Sequence, residues 1–150
     1  MLARRRFIEQ KVRRISLSDR QHKSGTIAIV DDDAPLREAL GSVMQAAGFL
    51  TNTFGSAEEF LDSPERRHAA CLILDVRLPG MSGIELQRRL AGANSRIPII
   101  FVTAHGDAPL CDLVMKAGAA GFLNKPVRSD ILIREIHAAL EYSAKDREPG

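Results

Sequence analysis

A chain of 150 residues with 45% hydrophobic content is long enough for one packed core and too apolar for a disordered polymer. It contains no run near the roughly 18 apolar residues of a membrane span, no secretory leader, and too few cysteines (Cys71 and Cys111) for a disulfide scaffold, so a cytoplasmic location is expected. The net charge of +2 is uneven: residues 1–25 carry eight Lys or Arg against Glu9 and Asp19, whereas the other 125 carry 13 basic and 17 acidic groups, so the basicity does not belong to a nucleic-acid-binding surface of the folded part.

Residues 1–24 are expected to form a flexible basic extension. Phe7, Ile8, Val12 and Ile15 recur in it at near-helical spacing, a pattern also compatible with a short amphipathic helix. From residue 25 to 143 strands and helices alternate. TIAIV (26–30) is a strand. PLREALGSVMQAAG (35–48) is a helix with Leu36, Leu40, Val43, Met44 and Ala47 on one face and Gly48 at its end. FLTNTF (49–54) is a second strand. SAEEFLD (56–62) is a short helix, with Ser56 as cap and Glu59 completing a capping box. AACLILDV (69–76) is apolar nearly throughout, as a central strand of a parallel sheet requires, and Cys71 inside it reads as a small buried hydrophobe. A tight turn at Gly80–Gly83 leads into the helix GIELQRRLAG (83–92). IPIIFVTA (97–104) is the fourth strand, DAPLCDLVMKAG (107–118) the fourth helix, and AGFL (120–123) the fifth strand. The last helix is DILIREIHAALEYSA (130–144), with Ser129 or Asp130 as cap; residues 144–150 are expected to be a tail.

Five strands, each followed by a helix, predict an α/β fold: a doubly wound five-stranded parallel sheet. Ligands of such sheets bind beyond the carboxyl ends of the strands. Asp31 and Asp32 end the first strand, in the run AIVDDDA, Asp75 ends the third, Thr103 ends the fourth, and Lys125 follows the fifth. Adjacent carboxylates repel, and burial worsens the repulsion. They become useful around a hard divalent cation, which takes oxygen ligands from few protein carboxylates; without His or Cys nearby, zinc fits poorly. A carboxylate can also attack phosphorus, with a cation and an amine offsetting charge on the phosphoryl oxygens. Each residue also has a plainer reading. Asp31 and Asp32 could cap the first helix, Lys125 could be a surface lysine, Thr103 an ordinary strand end, and Phe122 core packing. His105 is read as a loop histidine, Met81 and Ser82 as turn residues.

Four pieces in order, IVDDD (29–33), DVRLPGMSG (75–83), FVTAHGD (101–107) and FLNKP (122–126), resemble the motifs of the CheY-like receiver domain of bacterial two-component response regulators. The run is most similar to receivers of the nodulation and nitrogen-fixation (FixJ/NarL-like) regulators. The resemblance spans about Thr26 to Tyr142 and implies strand order 2-1-3-4-5. It implies Asp75 as phosphoacceptor and Mg²⁺ (or Mn²⁺) held by Asp31, Asp32, Asp75 and the Arg77 carbonyl. It implies Lys125 paired with the acceptor, a cis Lys125–Pro126 bond, and a switch made of Thr103 and Phe122. Asp33 matches a position that is often acidic without being a ligand. The implied partner is a sensor histidine kinase or histidine phosphotransfer protein, with homodimerisation on phosphorylation. Gly121 and Asn124 depart from commonly acidic positions on the face formed by the fourth helix, fifth strand and fifth helix. Relatives of this type continue into a helix-turn-helix domain; this sequence is expected to hold no effector domain, so direct nucleic-acid binding is not expected.

Other readings stay open. The chain could be a binding module read without phosphorylation, a phosphate sink, or the receiver fragment of a DNA-binding transcription regulator. A haloacid-dehalogenase-like phosphatase would want an acid two residues after the nucleophile, where Arg77 stands, and a nucleotide-binding fold would want a glycine-rich loop after the first strand.

Overall fold

Side chains alternate across a strand, so a strand covered on both faces must be apolar at nearly every position. The chain meets that condition in β1 (Thr26–Val30), β3 (Ala69–Leu74) and β4 (Ile99–Thr103), the three inner strands of a five-stranded parallel sheet. The computed structural model describes residues 25–147, with side chains through residue 144. The basic extension, including the pattern at Phe7, Ile8, Val12 and Ile15, lies outside the described residues, as do residues 148–150.

The sheet order is β2-β1-β3-β4-β5, with β2 (Leu50–Phe54) and β5 (Gly121–Asn124) at the edges. The order expected from the resemblance is therefore the one observed. Five helices connect and cover the strands: α1 (Ala34–Ala46), α2 (Ala57–Asp62), α3 (Gly83–Gly92), α4 (Ala108–Lys116) and α5 (Ser129–Arg147). A 3₁₀ turn at Pro64–His68, which the sequence reading passed over, delivers the chain from α2 to β3.

The period-2 alternation divides the core into two layers. Ile27, Ile29, Cys71, Ile73, Ile100 and Val102 face one side, where Leu40 and Met44 of α1 and Leu132, Ile136 and Ala139 of α5 cover them. Ala28, Val30, Leu72, Leu74 and Phe101 face the other, against Phe60 of α2, Leu86 and Leu90 of α3 and Val114 of α4. Burying one such Leu, Ile or Phe side chain contributes roughly 1.5–3 kcal/mol, and this burial fixes the strand register. Cys71 is fully buried, and burial pushes its thiol up to about 12.

Two local expectations need correction, and one alternative reading falls away. Ala47, placed on the buried face of the first helix, is its exposed C-cap, because the helix ends at Ala46 and Gly48 takes a positive φ of 95°. Neither Asp31 nor Asp32 caps that helix. Asp33 does, its carboxylate accepting from the Leu36 amide at 3.2 Å, with Pro35 in the first turn. In α2, Ser56 caps by accepting from the Glu59 amide (3.1 Å), but the Glu59 carboxylate reaches one residue further back, to the Gly55 amide at 2.8 Å. Among the described residues no helix is long and apolar enough to cross a membrane.

Candidate functional site

In a parallel sheet all strands end at the same rim, so residues that follow different strands meet there. The ladder continues one step beyond the strands. The Asp31 amide donates to the Phe54 carbonyl (3.1 Å), the Asp75 amide to the Val30 carbonyl (3.0 Å), and the Lys125 amide to the Thr103 carbonyl (2.9 Å). The backbones that carry the site are thus held by sheet hydrogen bonds rather than by free loops.

Asp31 and Asp75 are buried, at 3% and 7% exposure, while Asp32 is exposed. One carboxylate oxygen from each of the three lies within 4.8 Å of the others. Lys125 Nζ reaches between them, donating to Asp31 Oδ2 at 2.8 Å and to Asp75 Oδ2 at 2.9 Å. Burial works against the ammonium. Its hydrogen bonds and charge pairing with Asp31 and Asp75 outweigh that, and its pKa stands above the ordinary lysine value. The remaining oxygens are oriented by amides. Asp31 Oδ1 accepts from Asp33 N (2.9 Å), and Asp75 Oδ1 accepts from Arg77 N (3.3 Å).

One ammonium does not neutralise three carboxylates. The cluster offers oxygen donors only, part buried and part open to solvent, and this donor set suits a hard divalent cation such as Mg²⁺ or Mn²⁺. Asp31, Asp32 and Asp75 are thus able to hold such an ion.

The other expected residues stand on the same rim in different relations to the cluster. Thr103 is buried at the end of β4, and its Oγ1 accepts weakly from the His105 amide at 3.5 Å. Phe122 is half-buried against the α2–α4 side of the core. Its ring lies against Gly106: a Cβ there would stand 2.6 Å from two ring atoms and would also strike the Asn124 amide oxygen. Thr103 and Phe122 therefore meet one loop, residues 104–107, at the neighbouring positions His105 and Gly106. Arg77 projects its side chain to solvent, and its amide serves Asp75. The Lys125–Pro126 peptide bond is cis.

Some contributors carried no sequence signal. Arg37, on α1, folds back so that Nη1 donates to the Asp31 carbonyl at 2.6 Å. Glu58, on α2, accepts from the Met81 amide at 2.6 Å across a long sequence gap. Gly83 lies so close to the Asp75 carbonyl that a Cβ would overlap it; its place in a turn was readable, its backbone contact was not.

This fold and this cluster define a signalling domain of one family. Residues 27–137 match the response regulator receiver domain, and the chain belongs to that family. It is 42% identical over 132 residues to the response regulator protein TmoT of Ectopseudomonas mendocina, covering 86% of this chain and 60% of that protein. It is 41% identical over 116 residues to the transcriptional regulatory protein FixJ of Bradyrhizobium diazoefficiens, covering 77% of this chain and 57% of that protein. The solved structure of the response regulator StyR superposes with a TM-score of 0.75 at 45% identity, over 81% of this chain and 62% of that one. The chain thus spans somewhat over half the length of these curated relatives. The resemblance to nitrogen-fixation-type receivers read from the motifs is borne out.

Proposed function

We propose that Asp75 accepts a phosphoryl group from a phosphohistidine of a sensor histidine kinase or histidine phosphotransfer protein. The observation that carries this reading is the Asp75 carboxylate itself, buried at the end of a central strand, 2.9 Å from Lys125 and within 4.8 Å of Asp31 and Asp32. A carboxylate in that position has a reaction partner to wait for; a structural role would not need two more acids beside it.

Asp31, Asp32 and Asp75, with the Arg77 carbonyl, would hold Mg²⁺ or Mn²⁺. That ion would supply positive charge to the phosphoryl oxygens during an in-line transfer. Asp75 contributes the attacking oxygen: a P–O bond forms to it as the P–N bond of the donor breaks, and the imidazole nitrogen keeps the electron pair. Lys125, already on Asp75 Oδ2, can follow the new charge onto a phosphoryl oxygen. A phosphoryl group adds about −1.5 to −2 charges near neutral pH in the ester case. Thr103 donates to it, the 104–107 loop follows, and Phe122, packed against Gly106, shifts with the loop. The outer face of α4, β5 and α5 is then read by a partner or by a second copy of the chain, as a shift between two packings.

Similarity to FixJ, which is named a transcriptional regulatory protein, favours a second, compatible reading. The chain would be the phosphorylation switch of a transcription regulator whose output lies elsewhere in the protein. A cytoplasmic place follows from a kinase donor of this type.

The test is incubation with acetyl phosphate, with Mg²⁺ or with EDTA, followed by intact-mass measurement. The proposal expects one added phosphoryl group only with Mg²⁺, and none in D75N. Equal modification of D75N, or modification in EDTA, would refute it.

A further inference from the structure

The loop between β3 and α3 carries Asp75 at its start and Arg77 just beyond. It is closed at its far end by the Gly83 amide, which donates to the Val76 carbonyl at 2.9 Å. Ser82 begins α3 by accepting from the Glu85 amide at 3.1 Å. Between these fixed points the side chains of Leu78 and Met81 pack against the core, and Glu58 Oε1 of α2 accepts from the Met81 amide at 2.6 Å. Gly80 turns with φ 75° and presents its bare Cα to the same carboxylate; a Cβ there would stand 2.6 Å from Glu58 Oε1. The hydrogen bond from Met81, then that from its own amide, hold the Glu58 carboxyl below the usual carboxylate range, with Arg89 adding a smaller attraction.

We infer that Glu58 is a positioning residue for the metal and phosphoryl site: by clasping Met81 it fixes the β3–α3 loop and, through it, the Arg77 carbonyl. This rests on the reading that the Arg77 carbonyl is a ligand. The geometry favours the role over simple helix decoration. Glu58 is exposed and contributes nothing to the core, yet it crosses from α2 to accept from a backbone amide of the loop, adding a directional contact to the apolar packing of Leu78 and Met81. Its neighbour Glu59 turns the opposite way, to Gly55, so these two adjacent acids have separate tasks. Charge-assisted hydrogen bonds to backbone amides are short and directional, which suits a positioning contact. Partners that orient a ligand without touching the metal typically cost 10–100-fold in metal affinity when removed.

The experiment compares the unsubstituted protein, E58A, E58Q and D75N by Mn²⁺ titration followed by electron paramagnetic resonance, with thermal melts in EDTA alongside. E58A is expected to weaken Mn²⁺ binding about tenfold. E58Q, which keeps an acceptor oxygen, is expected to restore most of the loss. Melting in EDTA should move little in either variant, so a loss of affinity at unchanged stability separates positioning from a structural role. Unchanged affinity in E58A, beside D75N-sensitive binding in the unsubstituted protein, would overturn the clasp alone. No D75N-sensitive binding in the unsubstituted protein would overturn the metal reading and the clasp with it.

Discussion

Replacing Asp75 by Asn removes one negative charge from the cluster while keeping an oxygen for Lys125. At an effective dielectric of about 20, two like charges 4.8 Å apart repel by about 3 kcal/mol. Asp75 faces Asp31 at that separation or closer, and Asp32 adds less because it is exposed. On the same scale the attraction between Asp75 and Lys125 at 2.9 Å is about 6 kcal/mol. Lys125 is shared, however, and keeps its 2.8 Å contact with Asp31 in the variant. Attraction and repulsion at Asp75 thus nearly cancel, and the desolvation of a carboxylate that is 7% exposed decides the sign. Hydrogen bonds from Lys125 and the Arg77 amide offset most of that cost. D75N is therefore expected to be more stable than the unsubstituted chain without divalent cations, by about 1–2 kcal/mol or about 2–8 °C in Tm. Mg²⁺ at a hundred times its Kd would stabilise the unsubstituted chain by about 2.7 kcal/mol and D75N by much less, so the order should reverse. Urea denaturation followed by circular dichroism, in EDTA and in Mg²⁺, reads both. A less stable D75N in EDTA would refute the electrostatic reasoning, and equal gains from Mg²⁺ would refute the ligand role.

K125M should cost about 2–3 kcal/mol at neutral pH, since it leaves buried Asp31 and Asp75 without their counter-charge while the ammonium it removes was partly solvated. The Lys125 pKa is raised in the fold, so its contribution is complete below the unfolded value near 10.5 and is lost as pH climbs through the higher folded value. On the alkaline side the stability gap between K125M and the unsubstituted chain should therefore narrow only above pH 10.5; a gap that closes as pH rises from neutral to about 9 would contradict this. Of the two thiols, partly exposed Cys111 should react with a disulfide reagent in the native state and buried Cys71 only after unfolding. Equal native rates would show that the β3 core is open. G83A should destabilise by about 3 kcal/mol or more, because the added Cβ meets the rigid Asp75 carbonyl. G92A, with nothing near its Cβ position in α3, should stabilise by up to about 1 kcal/mol. Chemical denaturation of both separates a close-packed glycine from an idle one.

The fold was legible because the patterning is uncompromised. LILD and IIFVT read as strands buried on both faces, and the structure places them at the centre of the sheet. Parallel topology then brings every strand end to one rim, so the meeting of Asp31, Asp75 and Lys125 followed from sequence once the strands were located. What escaped were long side chains acting across elements. Glu58 and Arg37 look like any exposed helix residue, and only coordinates show one on Met81 and the other on the Asp31 carbonyl. Asp33 was a different miss. Asp two residues ahead of Pro35 is a helix-start signal, but capping was considered only for Asp31 and Asp32, and Asp33 was read as an acid with no ligand role. Gln87 escaped too. It is buried in α3 and donates to the Val114 carbonyl of α4 at 3.0 Å, a polar tether that no periodicity would single out.

Locating the phosphoryl group tests the central claim most directly. The protein is phosphorylated with acetyl phosphate and Mg²⁺, reduced with tritiated borohydride, which converts an acyl phosphate to labelled homoserine, and mapped by peptide. The account predicts label at Asp75. Label at Asp31 or Asp32, or label recovered only outside the peptide containing DVRLPGMSG, would contradict it.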